Sequence, residues 1–295
     1  MCYYNGVRVS RTELIRLKEI ERDIRLYNLS NPMIDGFDYG EVDVIKPNND
    51  YCDWDIVKME WGFIPDNIKN RDAVNKMRLG YKEETGRFYP PLTTLNAKGE
   101  ELLLIDPITG REKMFRQAAL KRRCLFLSTG FYEWRHLPAF GKKGQPLKQT
   151  LKYPYHIVLK EQELFYIAGV WQPWSDKETG EVVDTCALIT TEANELMRQV
   201  HNSKNRMPAI LTEELAAEWI SDGLTEKRIT EIATFKIGSD KMKAYTIPKD
   251  FKTALDPTEP FKYEGLPDID LNEILSIPTV KETKKVASIQ ADLFS

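Results

Sequence analysis

Between Leu102 and Thr191 the chain offers six short apolar runs, Leu102–Ile105, Leu125–Leu127, Phe131–Arg135, Tyr155–Leu159, Phe165–Trp171 and Thr185–Thr191. A parallel strand pair needs a crossover of roughly a dozen residues or more, usually a helix, and many of the links here are too short for one. Antiparallel pairing is therefore favoured. No internal repeat and no alternating strand–helix rhythm is visible, which argues against a doubly wound parallel sheet.

The flanking segments fill in the rest. Ser10-Arg11-Thr12-Glu13 has the form of a capping box, and Leu14, Leu17, Ile20, Ile24 and Tyr27 follow at helical spacing. This pattern predicts a helix near 11–28. Residues 31–66 read as loops joining brief strands, 67–95 as a polar, irregular surface excursion, and 139–152, rich in Lys, as an exposed hairpin loop. Helices are predicted near 112–121, 191–200 and 213–222, the last opened by Thr212 and closed by Gly223. The domain is expected to occupy 1–250, with 251–295 a polar, flexible C-terminal tail.

Apolar residues make up 42% of the 295 and charged residues 29%, the balance of a globular chain able to bury a large core. No run approaches the roughly 18 apolar residues of a membrane span, and the start lacks the basic and apolar regions of an export signal. The expected location is the cytoplasm, without membrane association. Cys2, Cys52, Cys124 and Cys186 are scattered with no C-x-x-C pair, so neither a zinc site nor a disulfide framework is suggested, and no metal or cofactor is expected. Residues 251–295 hold five Lys and eight Asp or Glu, so from totals of 42 and 45 the body keeps 37 of each sign. Net charge thus gives no support for tight non-specific DNA binding.

Position 2 carries the most distinctive chemistry. Methionine aminopeptidase removes Met1 only before small side chains, and cysteine is small enough. The exposed Cys2 would then present an amine and a thiol whose unperturbed pKa values are about 7.7–8.0 and about 8.5. An aldehyde reacts with both: the amine gives an imine, and the thiol closes on the same carbon to form a five-membered thiazolidine. The alternative is that Cys2 is an incidental residue of a first strand.

Several blocks in order across 1–220 resemble the SRAP family, the SOS-response-associated peptidase-like proteins that cross-link to abasic DNA. They are Cys2, Trp61-Gly62-Phe63-Ile64-Pro65, Asn96-Ala97-Lys98-Gly99-Glu100, Arg122-Arg123-Cys124 with Gly130-Phe131-Tyr132-Glu133-Trp134, Pro154-Tyr155, Ala168-Gly169-Val170-Trp171, Thr190-Thr191-Glu192-Ala193-Asn194, and His201 with Arg206-Met207-Pro208. The chain departs from the family in having Tyr3-Tyr4 where Gly-Arg is usual and Lys98 where Arg is usual. It also stretches the His-x-Arg-Met-Pro block by three residues.

The resemblance implies an α+β fold, a twisted and mainly antiparallel sheet curling into an open barrel with flanking helices. It implies covalent capture of abasic sites in single-stranded DNA, shielding them, with Cys2 as nucleophile and no cofactor, and it permits reversal of the link. Carried over residue by residue, Glu133 would serve proton transfer at the amine and carbinolamine, His201 the sugar ring oxygen, and Asn96 the orientation of amine or substrate. Lys98, Arg206 and Trp61 are the DNA-binding candidates, with Trp134 and Trp174 as further aromatic platforms. Each has a plainer alternative: Glu133 on a solvated strand face, His201 as a helix cap, Asn96 at a turn, the tryptophans in the core, and Arg122 and Arg123 as structural. His136 and His156 receive no role. Rival functions are a cysteine-type peptidase or amidase using Cys2, and a DNA-binding module without chemistry. A monomer is expected, located at the nucleoid when acting. Gln290-Ala291-Asp292-Leu293-Phe294 resembles the short peptides that bind the bacterial sliding clamp, which makes Gln290, Leu293 and Phe294 candidate clamp-binding residues.

Overall fold

The protein is described here by a computed structural model covering residues 2–141 and 145–269. Strand β1 (Tyr4–Arg8) is followed by a hairpin of β2 (Leu14–Leu17) and β3 (Ile20–Asp23) where the sequence predicts a helix. One long-range fact and one local fact decide the difference. The backbone N–H groups of Ser10, Arg11 and Thr12 donate to the carboxylate of Glu163 at 2.9, 2.9 and 2.8 Å, so the supposed capping box is satisfied from elsewhere in the fold. Lys18 and Glu19 both adopt positive φ, 55° and 62°, which makes the tight two-residue turn that twisted hairpins need. Ile15 and Leu17 then face the core as alternate strand positions.

β4 (Ser30–Asp35), β5 (Glu41–Pro47) and β6 (Trp54–Trp61) are the brief strands expected between 31 and 66. The excursion after them is more regular than predicted. Asn70 accepts a hydrogen bond from the Ala73 N–H and starts α1 (Arg71–Leu79), and a small hairpin of β7 (Tyr81–Lys82) and β8 (Phe88–Tyr89) follows. β9 (Asn96–Lys98) leads into a tight turn instead of the strand predicted at Leu102–Ile105. There the chain presses against a neighbouring helix: a Cβ on Gly99 would lie 2.2 Å from the Ala233 carbonyl oxygen.

The other five apolar runs all form strands longer than the runs themselves. After α2 (Arg116–Lys121) come β10 (Arg123–Ser128), β11 (Gly130–Phe140), β12 (Pro146–Leu159), β13 (Phe165–Ser175) and β14 (Val182–Glu192). The predicted 139–152 loop is thus mostly the far end of a long β11–β12 hairpin. Then follow α3 (Glu195–Val200), β15 (Arg206–Pro208), β16 (Ile210–Leu211), α4 (Glu213–Trp219), α5 (Glu226–Ala233) and β17 (Met242–Thr246). Thr212 caps α4 as its sequence position suggests.

β5, β6, β14, β13 and β10 pair in a ring that closes on itself, every pairing antiparallel except β6 with β14. The mainly antiparallel α+β fold is as expected, with the barrel closed where an open one was anticipated. A second sheet runs β17-β12-β11-β1-β4. Trp61, Phe126, Phe131 and Cys2 share one buried cluster, and burial of each large aromatic contributes on the order of 2–3 kcal/mol. Phe251 stacks on Tyr132 with ring centroids 5.0 Å apart, and Arg8 pairs with Asp256, so residues 251–269 pack on the body beyond the expected boundary. Gln290, Leu293 and Phe294 lie outside the described residues. No helix among the described residues is long and apolar enough to cross a membrane.

Candidate functional site

The register between β1 and β11 positions the site. Asn5 pairs with Phe131 and Gly6 with Gly130, so the residues just before β1 run alongside Glu133 and Trp134. Gly6 is needed for this course, because a Cβ there would stand 2.1 Å from the Pro32 carbonyl oxygen on β4. Alternation along β11 sends Tyr132 and Trp134 to a cluster with Tyr4 and Phe251, while Phe131 faces the cluster that holds Cys2. Glu133 shares the parity of Phe131 and is buried, and its charge acts on the Cys2 thiol.

His201 reaches the same place from another element. It ends α3, whose start is capped by Asn194, and its N–H bonds to the Met197 carbonyl. Its Nδ1 lies 2.9 Å from the Arg206 carbonyl oxygen and 3.4 Å from Glu133 Oε1. A carbonyl oxygen only accepts, so the Nδ1 proton belongs to that bond. The stretched block explains itself here: Asn205, at φ 53°, returns its N–H to the His201 carbonyl at 2.9 Å. The extra residues form a turn, and His201 and Arg206 stay adjacent.

Burial sets the protonation states. It pushes the Glu133 carboxyl up to about 8, against smaller opposing pulls from the amino terminus and the Trp134 N–H. Glu133 Oε1 has no hydrogen-bond partner among the described residues. The group is therefore mostly a neutral acid at pH 7. Burial and then the positive amino terminus push His201 down to about 4, leaving a neutral imidazole. The Cys2 thiol is raised far above its usual range by burial first and the Glu133 charge second, and Sγ donates weakly to the Tyr4 carbonyl at 3.5 Å.

Cys2, Glu133 and His201 are thus brought together. Asn96 is buried on β9 opposite Leu188 of β14, with neither amide atom hydrogen-bonded among the described residues, so no bond ties it to the other three. The cation and aromatic candidates fare differently. Lys98 is exposed and pairs with Glu101 at 2.7 Å. The Arg206 guanidinium forks onto both oxygens of Glu100 at 3.0 and 2.8 Å and also donates to the Thr190 carbonyl. Trp61 is not a base platform in this structure: it is 0% exposed and donates its indole N–H to the Leu95 carbonyl. Trp174 is buried as well, with its indole N–H on the Ile68 carbonyl, while Trp134 is half-buried. Arg123 serves structure, donating to four backbone carbonyls.

A cavity of about 290 Å³ opens beside the site, lined by Tyr3, Glu133, Trp134 and His201, and also by His136, Lys152, Ser203 and Lys204. Sequence reasoning singled out neither lysine. Lys152 is one of several lysines in a segment whose composition predicts a loop, and its place opposite His136 depends on a strand register that no local pattern reveals.

The model of the SOS response associated peptidase (SRAP) family matches residues 38–254, so Cys2 falls ahead of the matched segment. Over 190 residues the chain is 30% identical to the abasic site processing protein YoqW of Bacillus subtilis (strain 168), covering 64% of this chain and 68% of that protein. It is 28% identical over 177 residues to the abasic site processing protein HMCES of Gallus gallus, covering 56% of this chain and 45% of that one. A protein from Bacteroides thetaiotaomicron, solved by X-ray crystallography, superposes with a TM-score of 0.62 at 27% identity, covering 88% of this chain and 97% of the other.

Proposed function

We propose, because this chain belongs to the SOS response associated peptidase family, that it acts on abasic sites and captures them in single-stranded DNA through a thiazolidine on Cys2. Removal of Met1 would expose the amine. The observation that carries the reading is the buried Glu133 carboxyl, unpartnered at Oε1, 3.4 Å from His201 Nδ1 and electrostatically coupled to Cys2.

The proton inventory closes on these groups. A closed abasic sugar opens when the neutral imidazole of His201 takes the proton of the anomeric hydroxyl and the Glu133 acid protonates the ring oxygen as its bond to the anomeric carbon breaks. The Cys2 amine then adds to the aldehyde carbon, His201 returns its proton to the new hydroxyl, and the Glu133 carboxylate takes one from the amine nitrogen. Glu133 next protonates the hydroxyl, water departs, and a protonated imine remains. Sγ adds to the imine carbon and its proton passes to Glu133. One water is lost and both side chains recover their starting states. The neutral His201 makes proton acceptance, rather than donation to the ring oxygen, its fitting first task.

The peptidase reading would require a thiolate poised for acyl transfer and an oxyanion hole, whereas burial favours the protonated Cys2 thiol. Cys2→Ser tests the proposal against both rivals. It should form only a reversible imine on an abasic oligonucleotide, trapped by borohydride but lost on heating without it. A heat-stable, reductant-free adduct from Cys2→Ser would overturn the thiazolidine.

The same proposal includes recruitment through Gln290, Leu293 and Phe294. A tail peptide bound to a sliding clamp at the fork would raise local concentration without strong intrinsic DNA affinity, which suits a body of zero formal charge. A labelled 283–295 peptide should bind the host clamp in a polarisation titration and lose binding when Leu293 and Phe294 are both alanine; equal binding by the two peptides would exclude it.

A further inference from the structure

We propose that Lys152 and Lys204 form a phosphate-binding site beside Cys2, gripping the phosphodiester groups that flank the abasic sugar. This rests on the single-stranded DNA reading above and adds a subsite to it.

The placement follows from three contacts. In the β11–β12 hairpin, His136 and Lys152 are direct cross-strand partners. Asn202, one residue after His201, grips the backbone of His136 twice: its Oδ1 accepts from the His136 N–H at 2.9 Å and its Nδ2 donates to the His136 carbonyl at 2.8 Å. That clamp fixes the 201–205 turn against β11, and Lys204 rides on the turn. Both lysines consequently line the cavity that holds Glu133 and His201.

Their electrostatic situation sets them apart from the cations named from the sequence. Lys98 and Arg206 are each matched by a glutamate, whereas neither Lys152 nor Lys204 has a carboxylate within ion-pair distance among the described residues. Glu133, the acid lining the cavity, is mostly neutral at pH 7. The field of the two ammonium groups is felt there: after burial, Lys152 lowers the pKa of His136, and Lys204 is among the groups that lower that of His201. A sugar bonded at Cys2 carries a phosphate on each side, and an unmatched cation next to each is the arrangement that releases counterions on binding. In a body with 37 residues of each charge sign in 1–250, affinity for a strand has to come from such a local concentration of charge.

The test measures binding of the full-length protein to a labelled, undamaged single-stranded oligonucleotide by fluorescence anisotropy across a salt series. Each phosphate contact on a single strand contributes a slope of about 0.7 to log K against log salt. Lys152→Ala with Lys204→Ala should therefore flatten the slope by about 1.4, and Lys152→Arg with Lys204→Arg should restore it. An unchanged slope in the double alanine variant would overturn the site, as would loss of slope in the arginine variant. Wild-type adduct formation on an abasic oligonucleotide is scored separately: its absence would defeat the capture reading, while the salt slope would still report on the lysines.

Discussion

Glu100 and Glu133 each face a side chain at one end of the same short connection, Arg206 and His201, yet the two carboxyls end in opposite states. Glu100 meets a permanent cation in a two-pronged geometry, and although burial would raise its pKa, the hydrogen bonds from Arg206 hold it below the usual carboxylate range. Glu133 meets a neutral imidazole whose Nδ1 proton is committed to the Arg206 carbonyl, so only the weaker pulls of the amino terminus and the Trp134 N–H oppose its burial and it rises to about 8. One pair ties β15 to the tight turn that follows β9. The other sets a neutral carboxyl beside a neutral imidazole and the Cys2 thiol, the groups that the proposed capture would use as acid, base and nucleophile. The difference lies in the partner's charge and in where its proton is spent.

The largest effect should come from removing the acidic proton on which the proposed capture depends. Glu133→Gln, close to isosteric, removes the proton carrier and should slow adduct formation by roughly 10²–10⁴ with the fold intact, as read by timed denaturing gels. Glu100→Gln should leave that rate within a few-fold. Equal slowing by both substitutions would erase the distinction.

Next is the pH dependence of stability. Glu133 has a folded pKa near 8, above the ordinary value of 4.5, so its contribution is present at low pH and is lost as pH rises through 8. His201 has the opposite sign: its folded value near 4 lies below the ordinary 6.5, so stability is lost as pH falls between them. The two oppose each other between about 4.5 and 6.5, and above that only Glu133 acts. Wild-type Tm should therefore decline from pH 6.5 to 8, by at most about 1.4 kcal/mol per pH unit in free energy, and Glu133→Gln should flatten that decline. A wild-type decline retained in Glu133→Gln would show that the carboxyl titrates elsewhere.

A smaller effect is expected from the structural pair. Arg206→Leu strands a carboxylate that is about one-third exposed, so after allowing for solvent screening the expected loss is about 1–2 kcal/mol in urea unfolding. Replacing Glu100 by Gln as well should recover part of it. A double variant no more stable than Arg206→Leu would remove the ion pair as the cause.

The strand that carries Glu133 was legible because Gly-Phe-Tyr-Glu-Trp is a local apolar run, and the Thr212 cap because it is a local signal, whereas those residues alone leave Glu133 free to sit on a solvated face and only the family resemblance singles it out. The 11–28 segment was not legible. Its apolar positions fit helical and strand spacing alike, and the acceptor that settles the choice, Glu163, is about 150 residues away in sequence. Trp61 shows a parallel limit: an aromatic in a matching motif does not reveal whether its ring faces solvent, and here it packs against Phe126. Lys152 and Lys204 became visible only through a cross-strand register and the Asn202 clamp, both tertiary facts.

The central claim is a covalent bond between Cys2 and an abasic sugar, with Glu133 and His201 moving the protons. Intact-mass analysis of the wild-type protein after incubation with an abasic single-stranded oligonucleotide, followed by peptide mapping, tests it directly. The account predicts a chain lacking Met1 and a stable species equal to protein plus oligonucleotide minus one water, with the added mass on the peptide that begins at Cys2. A DNA-free chain at full conversion of the oligonucleotide, or an adduct mapped to any other residue, would contradict it.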